Sequence, residues 1–122
     1  MKRAFSPRTT PGQRQAVLDF ARQARETKGD RILNIILIGS VARGDFGPGS
    51  DVDIVLVAES ADTDFKCDVW DIGAQVSLAH DVILNVHIYS RARWDQLKHD
   101  KAALWRDIER DGIVLTPEPL PA

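Results

Sequence analysis

The sequence is poor in cysteine, in excess positive charge and in long apolar runs. Its one cysteine, Cys67, rules out an intramolecular disulfide and a cysteine-rich metal site. The formal net charge of −2 argues against binding nucleic acid by bulk electrostatics, because phosphate neutralisation needs a basic face. No run approaches the roughly 20 apolar residues that span a bilayer, and no signal-peptide-like stretch opens the chain. We therefore expect a cytoplasmic protein with no membrane partner and no direct nucleic-acid partner.

The chain is long enough for one domain with its own core. It has 122 residues, of which 43% are hydrophobic and 28% charged, an ordinary globular balance. Residues 1–9 have no periodic pattern, and we expect them to form a flexible N-terminal arm. Residues 10–116 are predicted to form the domain, and the proline-rich residues 117–122 a C-terminal tail.

Helical and strand patterns alternate along the domain. Thr10, Pro11 and Gln13 have the spacing of a capping box and predict a helix that stops near Gly29. Residues 32–38 are almost wholly apolar and predict a strand buried on both faces. The further predicted elements are a short helix after residue 40, a strand over 51–57, a helix from 62 or 63 to 80, a strand over 82–89, a single last helix from 90 to 112 and a short edge strand over 113–115. This order predicts an α/β (α+β) domain, with helices packed on a small mixed sheet.

Two carboxylates at the start of the second strand carry the strongest chemical signal. Asp51 and Asp53 are two positions apart on a strand, so their side chains project from the same face. Carboxylates that close repel each other unless a positive charge lies between them. A hard divalent cation with oxygen ligands, above all Mg²⁺, meets that need.

A Gly-Ser turn lies ten residues before this acidic pair. Gly39 and Ser40 follow a buried strand and open a short helix, so backbone N–H groups and the positive end of a helix face outward. Such a turn can hold the β- and γ-phosphates of a nucleotide, with Arg43 as an additional positive charge. Taken alone, a Gly-Ser turn is usually only a turn, and an Asp-x-Asp pair usually a solvated strand end. Their occurrence together favours the functional interpretation.

The segment resembles the signature of minimal nucleotidyltransferases in the DNA polymerase β superfamily. The motif is Gly-Ser, ten residues, then Asp-x-Asp, and it reads GSVARGDFGPGSDVD over residues 39–53. A weaker similarity extends over roughly residues 12–115. The resemblance implies the nucleotidyltransferase fold, ATP as substrate, Mg²⁺ as cofactor and transfer of a nucleoside monophosphate. Prokaryotic members are often antitoxins that silence a HEPN-domain ribonuclease by adenylylating a tyrosine, which implies a HEPN toxin as partner and a hetero-oligomer with it.

The resemblance also assigns roles to individual residues. Asp51 and Asp53 would be catalytic and would hold the metals that clamp the triphosphate. The residues that it places on the nucleotide are Gly39, Ser40, Arg43 and Ser50.

One expected group is missing from the pattern. Active members of the family usually carry a third carboxylate on the strand after the second long helix, where this chain has Asn85 and His87 on one face. Asn85 cannot act as a base. His87 can take up a proton near neutral pH and is the candidate third catalytic residue, although a packed or solvated strand position is the simpler interpretation. Weaker substitutes for the carboxylate are Asp68, Asp71 and Asp81.

Two functions follow from this departure. The first is Mg²⁺-dependent transfer of AMP to a protein hydroxyl, and the second is an inactive fold that neutralises a partner by direct contact. Small-molecule nucleotidylation ranks last, because such relatives usually need an added helical domain to hold the acceptor. Trp70 lies slightly off the apolar stripe of its helix, and its exposure would indicate a protein-binding surface.

Overall fold

A mixed four-stranded sheet forms the centre of the computed structural model, which describes residues 1–47 and 49–115. The spatial order is β3-β2-β1-β4, with β1 antiparallel to both β2 and β4 and with β2 parallel to β3. The strands are β1 Ile32–Ile38, β2 Val52–Ala58, β3 Leu84–Ser90 and β4 Ile113–Val114. The predicted α/β class and mixed sheet are confirmed.

Helices cover both faces of this sheet. One face packs against the two long helices, α1 (Pro11–Lys28) and α3 (Thr63–His80), and the other against α4 (Arg91–His99) and α5 (Ala103–Asp111). A short helix, α2 (Gly39–Arg43), follows β1 directly. Across residues 1–47 and 49–115, no helix combines the length and the apolar character that crossing a membrane requires.

Burial on both faces explains the apolar run of β1. Ile35 and Leu37 belong to the core under α1 and α3, whereas Ile36 between them packs into the core under α4 and α5. Alternate side chains of a strand point to opposite faces, so both sets must be apolar when both faces are covered. The prediction of a strand buried on both faces is confirmed.

Local capping signals set the start of α1. The Thr10 hydroxyl accepts a hydrogen bond from the Gln13 backbone N–H at 3.1 Å, and the Gln13 side chain accepts one from the Thr10 N–H at 2.9 Å. The predicted capping box is therefore confirmed. Gly29 ends α1 as predicted, but in a right-handed conformation (φ −48°) that continues into a 3₁₀ turn.

The prediction of a single last helix is wrong. The chain breaks between α4 and α5, where Lys101 adopts a left-handed backbone with φ 50°. The break brings Trp94 and Trp105 edge to face with their ring centroids 5.1 Å apart. In one straight helix these residues would lie about 16 Å apart along the axis, so packing of the aromatic core favours the break.

The first nine residues, which we predicted to be a loose arm, contact the domain. The Lys2 N–H donates to the Gly112 carbonyl at 2.7 Å, and the Lys2 carbonyl accepts from the Val114 N–H at 2.8 Å. Phe5 packs against the main core. This pairing extends the β4 edge of the sheet, so the segment lies on the domain rather than apart from it. The predicted domain end at residue 116 and the predicted tail over residues 117–122 lie outside the described residues.

One aspartate links the two long helices. Asp19 of α1 accepts hydrogen bonds from Gln23 Nε2 and from His80 Nε2 of α3, both at 3.1 Å, and from Arg22. The bond from Gln23 contributes most to lowering the pKa of Asp19 below its ordinary value of 3.8, and His80 and Arg22 act in the same direction against partial burial.

Replacing Lys101 with glycine should stabilise the fold by about 0.5–1 kcal/mol. The left-handed backbone costs a non-glycine residue roughly 1–2 kcal/mol, and the extra freedom of glycine in the unfolded chain offsets about half of that gain. Urea unfolding measures the difference. Lys101→Ala keeps the Cβ and should give no gain, so equal stabilities of the two variants would contradict the assignment of the break.

Asp19→Asn should destabilise the fold more at pH 6 than at pH 3. Because the pKa of Asp19 is lower in the folded state, its contribution is complete above the ordinary value of 3.8 and disappears as pH falls through the folded value. Urea unfolding at both pH values measures this. Asp95→Asn, at an exposed position of α4, is the control. An equal loss at both pH values would contradict the ionic role.

Candidate active site

The two aspartates lie where the end of β1 meets the starts of β2 and β3. Asp51 immediately precedes β2, and Asp53 is its second residue. In the register of the sheet, Asp53 stands between Ile38, the last residue of β1, and Asn85 of β3. Strand pairing therefore brings together three chain segments that are distant in sequence.

Two polar side chains of β3 contact this acidic pair. Asn85 Nδ2 donates to Asp51 Oδ2 at 3.0 Å, and His87 Nε2 lies 3.4 Å from Asp53 Oδ1. The side chains of Asp53 and His87 are 32% and 47% exposed, so the pair is open to a ligand from solvent. Residues 85 and 87 were predicted to share one face, and both reach the carboxylates. The catalytic role of His87 stays a prediction.

The Gly-Ser turn lies against Asp53. Gly39 has φ +76°, and a Cβ built on it would lie 2.8 Å from Asp53 Oδ2. Only glycine combines that backbone with so close an approach. Asp53 therefore faces the Gly-Ser turn.

The backbone of this turn opens α2. Ile38 provides no side-chain cap for the helix. The first amide groups of a helix have no acceptor within it, so they are available to a ligand. The nucleotide-binding roles of Gly39 and Ser40 stay predictions.

Two other residues predicted on the nucleotide have partners in the loop before β2. Arg43 Nε donates to Asp45 Oδ2 at 3.1 Å. The Ser50 hydroxyl accepts from the Gly47 N–H at 3.0 Å. Arg43 therefore points to Asp45 rather than to the acidic pair, and Ser50 closes a turn. Their contacts with a nucleotide stay predictions.

The donor set fits a magnesium ion. Asp51 and Asp53 offer hard carboxylate oxygens, and the open end of the strands leaves room for the water and phosphate ligands that Mg²⁺ usually keeps. The absent Cβ of Gly39 leaves space beside Asp53 Oδ2. Among residues 1–47 and 49–115, no cluster of three or more His, Cys, Asp or Glu side chains could hold a metal ion.

Two of the weaker substitutes for the third carboxylate have other structural roles. Asp68 forms an ion pair with Lys28 Nζ at 2.8 Å, and Asp81 ends α3 in a left-handed conformation. Asp71 is exposed on α3. The position beside Asp53 in β3 belongs to Asn85, which is neutral.

Residues 18–110 match the family described as "Nucleotidyltransferase domain". The match covers most of the chain and includes the Gly-Ser turn, the acidic pair and both β3 residues. The chain belongs to this family. This match confirms the resemblance that the motif over residues 39–53 indicates. It also supports the general enzyme class, which is nucleotidyltransferase.

Two curated proteins of Methanocaldococcus jannaschii, each named "putative protein adenylyltransferase", are similar to this nucleotidyltransferase. One is 31% identical over 103 residues, which cover 84% of this chain and 97% of the relative. The other is 31% identical over 78 residues, which cover 63% of this chain and 79% of the relative.

Solved structures share the fold of this nucleotidyltransferase. One is a toxin–antitoxin with AMP-PNP, with a TM-score of 0.55 at 18% identity over 80% of this chain and 71% of that one. Another is described as a putative nucleotidyltransferase from Sulfolobus solfataricus, with a TM-score of 0.55 at 14% identity over 90% of this chain and 87% of that one. At such identities the likeness concerns the fold alone.

The contact between Asn85 and Asp51 was not predicted from the sequence. The sequence excludes Asn85 only as a base, and the structure uses its amide group as a donor to the carboxylate. The only sequence signal was the alternation that puts residues 85 and 87 on one face. The parallel register of β2 and β3 decided which carboxylate each would meet.

Gly39→Ala should destabilise the fold by about 1–2 kcal/mol through the left-handed backbone alone, and further through the clash with Asp53. Urea unfolding measures the loss. Gly47→Ala is the matched control, because nothing lies within 4 Å of a Cβ at Gly47.

A double variant separates the two causes of that loss. If the clash contributes, Gly39→Ala should cost less in an Asp53→Ala background, where the carboxylate oxygen is gone. Strictly additive effects would contradict the close approach of Gly39 and Asp53.

Proposed function

We propose that this nucleotidyltransferase transfers AMP from ATP to a hydroxyl group of a protein in a Mg²⁺-dependent reaction. The observation that carries the proposal is the position of Asp53, whose carboxylate lies against the backbone of Gly39 with Asp51 beside it. This arrangement suits a metal–triphosphate complex. The names of the two archaeal relatives support adenylyl transfer to protein.

In the proposed transfer, some residues of the site bind the metal and others bind the nucleotide. Asp51 and Asp53 would hold Mg²⁺, which when bound neutralises charge on the phosphates. The amides of Gly39 and Ser40 would bind the β- and γ-phosphates, and Arg43 and Ser50 are further nucleotide contacts in the proposal. The acceptor oxygen forms a bond to the α-phosphorus, the bond from that phosphorus to the bridging oxygen breaks, and pyrophosphate leaves with the electron pair.

The proposed reaction requires a general base that accepts the proton of the acceptor hydroxyl. His87 is the residue that we propose as its acceptor, because its ring lies beside Asp53 and is open to solvent. Asn85 cannot take this role, and we propose instead that its amide group fixes the orientation of Asp51.

We further propose that the acceptor protein is a HEPN-domain toxin and that this chain acts as its antitoxin in the cytoplasm. The shared fold with the nucleotide-bound toxin–antitoxin supports such a partner. The two proteins would form a hetero-oligomer, at least while the acceptor side chain lies at the metal site.

A second candidate function is neutralisation of the toxin by contact alone. The observation that favours it is the neutral Asn85 beside Asp53, where active relatives usually carry an acid. In that case Asp51→Ala would leave neutralisation intact, and loss of a surface aromatic residue would abolish it.

Asp53→Asn should lower label transfer by about 100-fold or more, because it removes a charge that holds the metal at the reacting phosphate. The assay incubates the chain with ATP labelled at the α-phosphate, Mg²⁺ and the purified protein that the neighbouring gene encodes, which the proposal expects to be a HEPN protein. Labelled protein is then counted after denaturing electrophoresis. Omitting Mg²⁺ should abolish transfer.

The control for this variant is Asp95→Asn, at an exposed position of α4. It should transfer label at the wild-type rate. Absence of label with the wild-type chain, while neutralisation of the toxin persists, would establish the second function instead of the first.

A further inference from the structure

A groove runs along the outer edge of β3, next to the acidic pair. We call it the edge groove and define it by six lining residues, Trp70, Gly73 and Ala74 of α3 and Asn85, Val86 and His87 of β3. Its volume is about 400 Å³. Strand β3 is at the end of the described sheet, so this side has no neighbouring strand within residues 1–47 and 49–115.

Trp70 forms the exposed wall of the edge groove. Its indole Nε1 donates to the Val86 carbonyl at 2.9 Å, while 48% of the residue remains exposed. The hydrogen bond holds the ring in place and occupies one acceptor of the strand edge. An aromatic side chain that is held fixed and half exposed binds a partner with little loss of conformational freedom.

Two residues connect the edge groove to the reaction site. Asn85 and His87 line the groove, and the same side chains contact Asp51 and Asp53. A chain segment seated against Trp70 would therefore lie beside the two residues that contact the proposed metal-binding carboxylates.

Charge indicates what this groove accepts. Its six defining residues include no lysine or arginine, so it offers no cation to a triphosphate. Around Trp70, the acidic pair and the exposed Asp71 of α3 outweigh Lys66, the one cation on the same face of this helix, so the surroundings carry net negative charge. A neutral or basic polypeptide segment complements them better than an anionic ligand does.

We propose that the edge groove binds the segment of the acceptor protein that carries the reacting hydroxyl, and that Trp70 positions this segment. The inference rests on the proposed transfer function and adds the place and chemistry of acceptor recognition. The segment is neutral or basic, contacts the indole face and extends past His87 to the acidic pair. Trp70 is thus a positioning residue and takes no part in the chemistry.

The kinetic test compares Trp70→Ala, Trp70→Phe and Leu78→Ala in the transfer assay described above. Trp70→Ala should raise KM for the acceptor protein at least about tenfold and leave KM for ATP unchanged. Trp70→Phe keeps an aromatic surface and should be intermediate. Leu78→Ala is the matched control, because Leu78 is 86% exposed on the same helix but lines a different cavity. Circular dichroism and the melting temperature check that each variant folds.

A second measurement does not depend on catalysis. The chain is labelled with 5-fluorotryptophan, and its three ¹⁹F signals are assigned with the Trp70→Phe and Trp94→Phe variants. Addition of the unlabelled acceptor protein without ATP should shift the Trp70 signal. The signal of Trp94, which is 3% exposed, should stay in place.

The outcomes distinguish this inference from the function on which it rests. No transfer by the wild-type chain would overturn the proposed function and the acceptor role with it. Transfer at an unchanged acceptor KM in Trp70→Ala would overturn the inference alone. Weaker binding of Mg²⁺–AMP-PNP to Trp70→Ala in calorimetry would show base stacking on the indole. A Trp70 signal that shifts with protein concentration alone would show self-association, and either result would overturn acceptor binding.

Discussion

The repulsion between two neighbouring carboxylates is the constraint around which this site is organised. Asp51 and Asp53 project from one strand start, and like charges held close together near a protein surface repel each other. The Asn85 amide group donates a hydrogen bond to Asp51, and an imidazole nitrogen of His87 lies 3.4 Å from Asp53. Neither supplies the fixed double charge that the Mg²⁺ ion of the proposed function would bring.

The sheet dictates where such a pair can exist. The middle of β2 is buried on both faces, which excludes charge there, whereas its first residues lie beyond the cover of α4 and α5. The end of β1 and the start of β3 meet at the same place. Gly39 follows β1 directly, so the Gly-Ser turn and the carboxylates come together through pairing of the strands alone.

Elements with local signals were predicted well. The capping box of α1, the apolar run of β1 and the spacing of α3 are each encoded within a few residues. The break between α4 and α5 was missed, because contact of Trp94 with Trp105 outweighs a continuous helical pattern. Pairing of Lys2 with β4 was also missed. The hydrogen-bonded partners of Lys2 are more than 100 residues away in the chain, and the sequence around Lys2 carries no pattern that indicates them.

The sequence by itself determined the acidic pair, the Gly-Ser turn and the family to which both belong. Its helical spacing also indicated that Trp70 departs from the buried stripe. Tertiary structure alone decided that Asn85 meets Asp51 and His87 meets Asp53, each 34 residues apart in the chain, and that the groove beside Trp70 opens next to them. The physical reason is that periodicity and capping act within one element, whereas strand register and the free edge of a sheet depend on how whole elements pack.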